Sequence, residues 1–438
     1  MFKKMVSVIF LLFIIDLISL SVSAQELSGQ ERQINKRMIS MVKSTLMENY
    51  YDHTFHGVNL ETKFQEVEKI NKQAKSNSEV FVALAALLID LNDSHTNFIP
   101  PSRVNKVSYE WEIKTVGNRC LISFVKSDSD AEKKGLQIGD EVLTIDGNKP
   151  TRKNLWQINY LYGTLMPRET VKFVVQTPDG KVRALEIASK VSKGKKKTDL
   201  TSYDEVAQLE LKQEKDAEQY IHRYVDFDKE LTIWRMPRFD LPKEKVDDFM
   251  NRIGKFKNVI VDLRGNGGGS EETLLRLIGN FIDRDVKIGY LTRRKEKKEL
   301  VAKTRGKEKV YQGNLLVLID SQSASSSEIF ARVMQMEKRG IIFGDLSAGA
   351  VMRSIYYPKE VGLDVVTLFG LSVTDADLIM TDGRSLEKTG VIPDKLMLPS
   401  ASDFAAKRDI VLSEAMSRAG INMNSEQAGR LFSKYEKK

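Results

Sequence analysis

A cluster of serines, Ser323-Ala324-Ser325-Ser326-Ser327, is followed by Glu328 at the point where a short apolar run ends. That run, Leu315 to Ile319, has the length of a buried strand, and Asp320-Ser321-Gln322-Ser323 after it is turn-like. From Ser325 onward Ile329, Phe330, Val333, Met334 and Met336 recur on one face, which is the period of a helix. A strand-to-helix junction exposes a hydroxyl. It also aims backbone N–H groups and a helix N-terminus at the same point, which suits a nucleophile whose attack creates an oxyanion. Taken alone, the block also reads as an ordinary N-cap, with Ser325 and Glu328 as a capping box.

A nucleophile needs a base. The chain has four histidines. His53 and His56 fall in a Tyr/Phe-rich loop, and His222 lies in a polar stretch before a strand. His95 follows Ser94 where a helix-periodic segment stops, in Leu91-Asn92-Asp93-Ser94-His95-Thr96, and is the best general-base candidate. No two histidines share a spacing such as H-x-x-x-H, so no metal is expected. A third segment, Val259 to Leu263, reads as a buried strand running into Arg264-Gly265-Asn266-Gly267-Gly268-Gly269-Ser270, with a helical pattern from Glu271 to Phe281. The glycines let the backbone turn sharply and approach a substrate closely. The loop lacks Gly-Lys-Ser/Thr and the order of a dinucleotide fingerprint, so oxyanion binding fits it better than phosphate binding.

These segments must be positioned by a sizeable framework. A chain of 438 residues, 41% apolar, predicts two or three domains. Glu31 to Glu48 and Leu60 to Leu91 are helix-periodic, the latter with Phe64, Val67, Ile70, Val80, Leu84, Leu87, Leu88 and Leu91 on its apolar face. Residues 108–187 predict a separate small β-rich module, with strands Arg119 to Val125, Glu141 to Ile145, Val171 to Val175 and Val182 to Ile187. Lys190 to Lys197 reads as a basic linker, Glu205 to Gln219 as a polar helix, and Leu231 to Met236 as a strand.

The net charge of +8 is diffuse, and its basic runs, Lys190 to Lys197 and Arg293 to Lys298, carry no interleaved aromatics. Nucleic acid is not an expected partner. At the N-terminus Lys3 and Lys4 precede an apolar stretch, Met5 to Leu20, and Ser21-Val22-Ser23-Ala24 supplies small residues. This is the layout of a secretory signal cleaved after Ala24, with no stable membrane insertion afterwards. The one cysteine, Cys120, lies in an apolar strand pattern, so no intrachain disulfide is possible and a thiol nucleophile is not expected.

The stretch Gly135-Leu-Gln-Ile-Gly139-Asp-Glu-Val-Leu-Thr-Ile-Asp-Gly147 resembles the helix–turn–strand core of a PDZ domain, a module that captures extended peptide ends by strand addition. With it, VDLRGNGGG at 261–269, SASSSE at 323–328, IIFGDLSAGA at 341–350 and LEKTGVIPD at 386–394 together resemble the C-terminal processing, or tail-specific, serine peptidases. The resemblance implies an α/β core of repeated strand–strand–helix units (crotonase/ClpP-like), with an inserted PDZ-like domain and an N-terminal helical segment. It divides the chain into a signal peptide 1–24, a helical segment 25–104, the PDZ-like domain 105–190, the peptidase core 191–400 and a C-terminal helical tail 401–438.

It also places the nucleophile on Ser325, three residues before Glu328. One branch of the family carries a lysine base in G-E-x-x-x-G-K, where this chain has Ser347-Ala348-Gly349-Ala350. Alanine cannot take a proton. The branch typified by the tricorn protease core is closer. It implies His95 as base, Ser94 linking His95 to Glu387, and an oxyanion hole from Gly267 or Gly268 with Ser326.

The implied activity is an exported, periplasmic or extracellular, endopeptidase. It works through an acyl-enzyme on unfolded or C-terminally exposed polypeptides captured by the PDZ-like domain, without cofactor. Two rivals remain at this level. One is a catalytically inactive relative that binds peptides or apolar ligands. The other is a PDZ-type scaffold whose core is only an interaction surface.

Overall fold

The computed structural model describes residues 27–103, 105–192, 221–362 and 366–432. The signal-like segment and the polar helix expected at Glu205 to Gln219 lie outside the described residues, as does most of the basic linker.

The described residues open with three helices, α1 (Gly29–Asn49), α2 (Leu60–Gln73) and α3 (Asn77–Ile89). The periodic segment from Leu60 to Leu91 is therefore two helices. The chain is extended at Ala74 and Ser76, and Ser76 is the N-cap of α3. Strands β1 (Asn97–Ile99) and β2 (Lys106–Ser108) follow. Next come β3 (Trp111–Val116), β4 (Arg119–Val125), the short helix α4 (Asp130–Lys133), β5 (Glu141–Ile145), helix α5 (Leu155–Tyr160), β6 (Thr170–Gln176), β7 (Val182–Ala188) and β8 (Lys190–Ser192). Strands β3-β4-β5-β6-β7 form one antiparallel sheet in chain order, which is the expected β-rich module. Its core is not separate, however. Trp111, Ile122, Phe173 and Val175 belong to one buried cluster with Leu46, Phe64, Leu84 and Phe98 of the helical segment.

The second half begins with β9 (Arg223–Phe227), β10 (Leu231–Arg235), α6 (Lys243–Ile253), β11 (Asn258–Asp262), α7 (Glu271–Ile278), β12 (Val286–Thr292), β13 (Lys297–Ala302) and β14 (Asn314–Ile319). It continues with α8 (Ser326–Met336), β15 (Gly340–Gly344), β16 (Arg353–Val361), β17 (Thr367–Met380), β18 (Lys395–Leu396), α9 (Ala401–Ala405), α10 (Ile410–Arg418) and α11 (Ser425–Arg430). A six-stranded sheet runs β18-β15-β14-β11-β10-β9, parallel except for β9. Its central strands β10, β11, β14 and β15 are largely apolar because both faces are covered. Val259, Val261, Leu315 and Val317 pack toward α6, α7 and α8. Ile260, Leu316 and Leu318 face Leu412, Ala415 and Met416 of α10. The second sheet, β1-β17-β12-β13 with β16 on β17, joins the N-terminal segment to the core. Asn97, two residues after His95, pairs with Ser372.

The turn between β3 and β4 docks on loops at the carboxyl ends of the parallel strands. Lys114 Nζ lies 2.5 Å from Asp320 Oδ2, and Ser321 Oγ donates to Thr115 O at 2.5 Å. Gly117 N–H donates to Asp345 Oδ2 at 2.8 Å, while Arg152 bonds Asp345, Gly117 O and Leu346 O.

Candidate active site

The serine block sits after β14, at the first turn of α8. Three of its hydroxyls are committed to the main chain. Ser323 Oγ donates to Leu263 O at 2.8 Å, Ser326 Oγ to Gly269 O at 3.1 Å and Ser327 Oγ to Asn266 O at 3.0 Å. Ser325 is the member whose hydroxyl donates to no acceptor among the described residues. It is half-buried, with φ 54° and ψ −118°, a conformation that costs a non-glycine residue on the order of 1–3 kcal/mol and persists only where surroundings enforce it. Its N–H is held by Ala350 O at 2.8 Å and Glu328 Oε2 at 3.0 Å.

The glycine loop after β11 lies directly against this serine. Ala324 N–H donates to Asn266 O at 3.0 Å, and the buried Asn266 side chain donates to Met236 O at 2.8 Å. Gly268 has φ +97°, and a Cβ there would meet Ser325 Cβ at 2.7 Å and Ala324 O at 2.9 Å. Only glycine permits that approach. The Gly268 N–H donates to Asn266 Oδ1 at 2.8 Å. The N–H groups of Gly267 and Ser326 have no acceptor among the described residues.

His95 and Ser94 leave the helical segment on a turn built by Asp93. Asp93 Oδ1 accepts the N–H of His95 at 2.9 Å and of Thr96 at 2.7 Å, and the hydroxyl of Thr374 at 2.8 Å. Ser94 Oγ is 2.6 Å from His95 Nδ1 and donates to Glu387 Oε2 at 2.9 Å. A serine hydroxyl has one proton. Given to the Glu387 carboxylate, it leaves Ser94 Oγ to accept the Nδ1–H of His95, and this assignment leaves Nε2 bare as a base. Burial lowers the His95 pKa, with Lys388 acting in the same direction and Glu387 and Asp93 opposing. The ring is thereby kept neutral and able to take a proton.

Glu387 Oε2 also accepts the N–H of Val351 at 3.1 Å. The relay and Ser325 therefore both bond to the 350–351 loop, one through Val351 N–H and the other through Ala350 O. No hydrogen bond joins His95 to Ser325 among the described residues, and such contacts often tighten only when substrate binds.

Glu328 is buried under this loop, and burial pushes its carboxyl up to about 7 against four hydrogen bonds. Asp320 is buried too. The Lys114 ammonium and the N–H groups of Gly265 and Gln322 outweigh that burial and hold its carboxyl below the usual carboxylate range.

Two of the other histidines have structural partners. His56 bonds Tyr51 Oη at 2.7 Å and Leu91 O at 2.5 Å, and His222 Nδ1 accepts from Trp234 Nε1 at 3.0 Å. Cys120 is buried, and burial raises its thiol pKa. Among the described residues no group of three or more His, Cys, Asp and Glu side chains is arranged to hold a metal ion. No helix among them is long and apolar enough to cross a membrane. A cleft of about 860 Å³ lies between the β3–β4 face and the C-terminal helices, lined among others by Lys114, Asp320, Arg264 and Arg408. Ser325, His95 and Glu387 do not line it.

The sequence points to Ser94, His95, Ser325, Ser326, Glu387, Gly267 and Gly268, but it gives no role to Asp93 or Asp320 and marks Glu328 only as a cap and as the reference point for the nucleophile. The signal for Asp93 was local: an Asp followed by backbone N–H groups two and three residues on is an Asx-turn. Asp320 and Glu328 gain their roles from partners distant in the chain.

Residues 231–397 match the model of peptidase family S41. The chain is 24% identical over 375 residues to the chloroplastic C-terminal processing peptidase of Tetradesmus obliquus, covering 80% of this chain and 74% of that one. It is 32% identical over 177 residues to the tail-specific protease of Haemophilus influenzae, covering 38% of this chain and 24% of that one. Among solved structures, mature CPAF superposes with a TM-score of 0.62 at 13% identity, covering 85% of this chain and 94% of that one. At that identity the likeness speaks for the fold alone.

Proposed function

We propose, on the premise that this chain belongs to peptidase family S41 and is a serine-type peptidase, that it is an endopeptidase acting through an acyl-enzyme on unfolded or C-terminally exposed polypeptides. The observation that carries the mechanism is the chain of hydrogen bonds His95–Ser94–Glu387, tied to the same loop that holds Ser325. In this reading His95 Nε2 takes the proton of Ser325 Oγ as that oxygen attacks the scissile carbonyl. The imidazolium then protonates the leaving amine, and water repeats the sequence to release the acid product. Ser94 and Glu387 fix the ring and its tautomer, the part a carboxylate has in a triad. The free N–H groups of Gly267 and Ser326 receive the oxyanion. The Gly268 N–H, bonded to Asn266, is the weaker candidate.

The core is read as the family's strand–strand–helix repeat, and the β3–β7 module as PDZ-like. Capture of extended peptides is supported by β3, an edge strand that pairs only with β4 among the described residues. The β3–β4 turn itself is committed to Asp345 and Ser321. The basic n-region and small residues before Gln25 support export to the periplasm or the medium. A non-catalytic binder was suggested by Ala350, but the Ser94–His95–Glu387 relay supplies a base from elsewhere.

A fluorophosphonate probe tests the reading. The parent should be labelled on Ser325 and should cut an unfolded peptide. Ser325→Ala should lose both while melting as the parent does. Labelling that survives Ser325→Ala and disappears in Ser323→Ala would move the nucleophile and overturn the assignment.

A further inference from the structure

The carboxylate of Glu328 accepts four hydrogen bonds, two on each oxygen. Oε1 takes Ser347 Oγ at 2.6 Å and Gly349 N–H at 2.7 Å. Oε2 takes Ala350 N–H at 2.9 Å and Ser325 N–H at 3.0 Å. Glu328 is fully buried, and all four donors are neutral. The donors come from two segments, Ser325 from the turn of the nucleophile and Ser347, Gly349 and Ala350 from one loop. Ser325 N–H is the main chain of the strained nucleophile. Ala350 N–H precedes Val351, whose own N–H holds Glu387. Ser347 passes the connection on, since its Oγ accepts the N–H of Val391 at 2.6 Å. Gly349 does the same through its carbonyl, which accepts the N–H of Lys388 at 2.8 Å.

The carboxylate thus stands at the centre of three segments: 325–328 with the nucleophile, 347–351, and 387–391 with the relay acid. An N-cap partner would need only the bond to Ser325 N–H. The other three bonds do nothing for α8. They set where the 347–351 loop lies, and Gly349, at φ +71°, is packed so closely that a Cβ would meet the Lys388 and Thr389 backbone at 3.0–3.1 Å.

We propose that Glu328 is a positioning residue for the peptidase reaction: its ionised carboxylate sets the register between Ser325 and the His95–Ser94–Glu387 relay by holding both to the 347–351 loop. It touches no substrate and moves no proton. The proposal rests on the serine-peptidase reading, and its test has an arm that does not depend on that reading. Four donors converging on two oxygens require an acceptor at every position. The isosteric amide of Glu328→Gln would present two N–H groups to two of them, so two bonds fail while volume is kept. Displacement of a reacting group by about 1 Å can cost on the order of 10²-fold in rate.

Glu328→Gln and Ser347→Ala should be compared with the parent by melting, peptide kinetics, fluorophosphonate labelling and amide hydrogen exchange. Glu328→Gln is expected to remain folded, to lose about 100-fold in kcat and in labelling rate with KM changed by less than about 2-fold, and to lose protection at the 347–351 and 387–391 amides. Ser347→Ala, which removes one of the four bonds, should move the same quantities in the same direction by less. Exchange protection at 347–351 and 387–391 that is unchanged in folded Glu328→Gln overturns the proposal, whatever the parent does to peptides. So does a kcat loss that only tracks the fraction of protein folded. If instead the parent is not labelled but Glu328→Gln loosens both segments, the register role stands and the peptidase reading is what fails.

Discussion

The contact between Gly268 and Ser325 gives the sharpest perturbation. Gly268→Ala adds one methyl group at a position with φ +97°, where it meets Ser325 Cβ at 2.7 Å, Ala324 O at 2.9 Å and Ser326 N at 3.1 Å. Two costs combine. A side chain forced into positive φ costs roughly 1–2 kcal/mol, and an extra methyl in a packed site costs about 1–3 kcal/mol. A loss of roughly 2–5 kcal/mol is therefore expected in urea unfolding, unless the site opens. If it opens, the Cβ–Cβ contact has to grow from 2.7 Å to an ordinary 3.4 Å or more, which moves the nucleophile against its oxyanion donors. A shift of that size predicts a fall of about 10–100-fold in fluorophosphonate labelling. Gly267→Ala is the internal control, because its Cβ meets nothing within 4 Å and its φ is not positive. Its stability should stay within about 0.5 kcal/mol of the parent. If Gly268→Ala is as stable and as rapidly labelled as Gly267→Ala, the glycine loop does not pack on Ser325 as described.

Two further outcomes follow from the charges around the site. The base form of His95 is neutral, and its pKa is lowered from 6.5, so kcat/KM should be fully developed only well above 7, lose part of its value as Glu328 protonates near 7, and fall further on acidification through a His95 pKa below 6.5. His95→Ala should lower kcat by on the order of 10²–10⁴-fold, and Ser94→Ala and Glu387→Gln by less; a full-rate His95→Ala with an unchanged pH profile ends the assignment. Lys114→Met should destabilise the protein because it strips the buried Asp320 of its ion-pair partner at 2.5 Å. The loss should lie at or below the lower end of about 3–5 kcal/mol, since Lys114 retains 22% exposure, and unchanged chemical denaturation would show that the β-rich module is not anchored there.

Local pattern carried the parts of this fold that are locally determined. Strands β4 and β5 stand where the apolar strand pattern from Arg119 and the Gly139-Asp140 turn put them. The buried parallel strands were visible as unbroken apolar runs, because both faces are covered and no polar residue is needed. The ribbon of β16 and β17 was not read. Burial along the 14 residues of β17 follows no strict alternation, and its partners β1 and β12 come from distant parts of the chain. The break at Ala74–Ser76 was masked because the apolar period continues across it. At the site, Ser325, His95 and the glycine loop each have a local signature. Asp93 meeting Thr374 across 281 residues, and Glu328 acting on a loop rather than only on its own helix, are products of tertiary packing that no spacing rule encodes.

The same packing accounts for alanine at position 350. Ala350 N–H is bonded to Glu328 Oε2, and the next N–H, of Val351, to Glu387 Oε2. A lysine base must lose its proton near neutral pH, which requires an apolar or cationic setting that depresses its pKa. Position 350 lies between two carboxylates. Both carboxylates beside position 350 are taken up by main-chain N–H groups of this loop, and the alanine there has no group that could take a proton. In the proposed mechanism the base comes instead from the turn after α3, where Ser94 meets His95 and is bonded to Glu387, 293 residues further along the chain. On that mechanism activity would require the N-terminal segment to stay docked on the core, so a substitution that breaks the β1–β17 pairing should remove the base along with the contact.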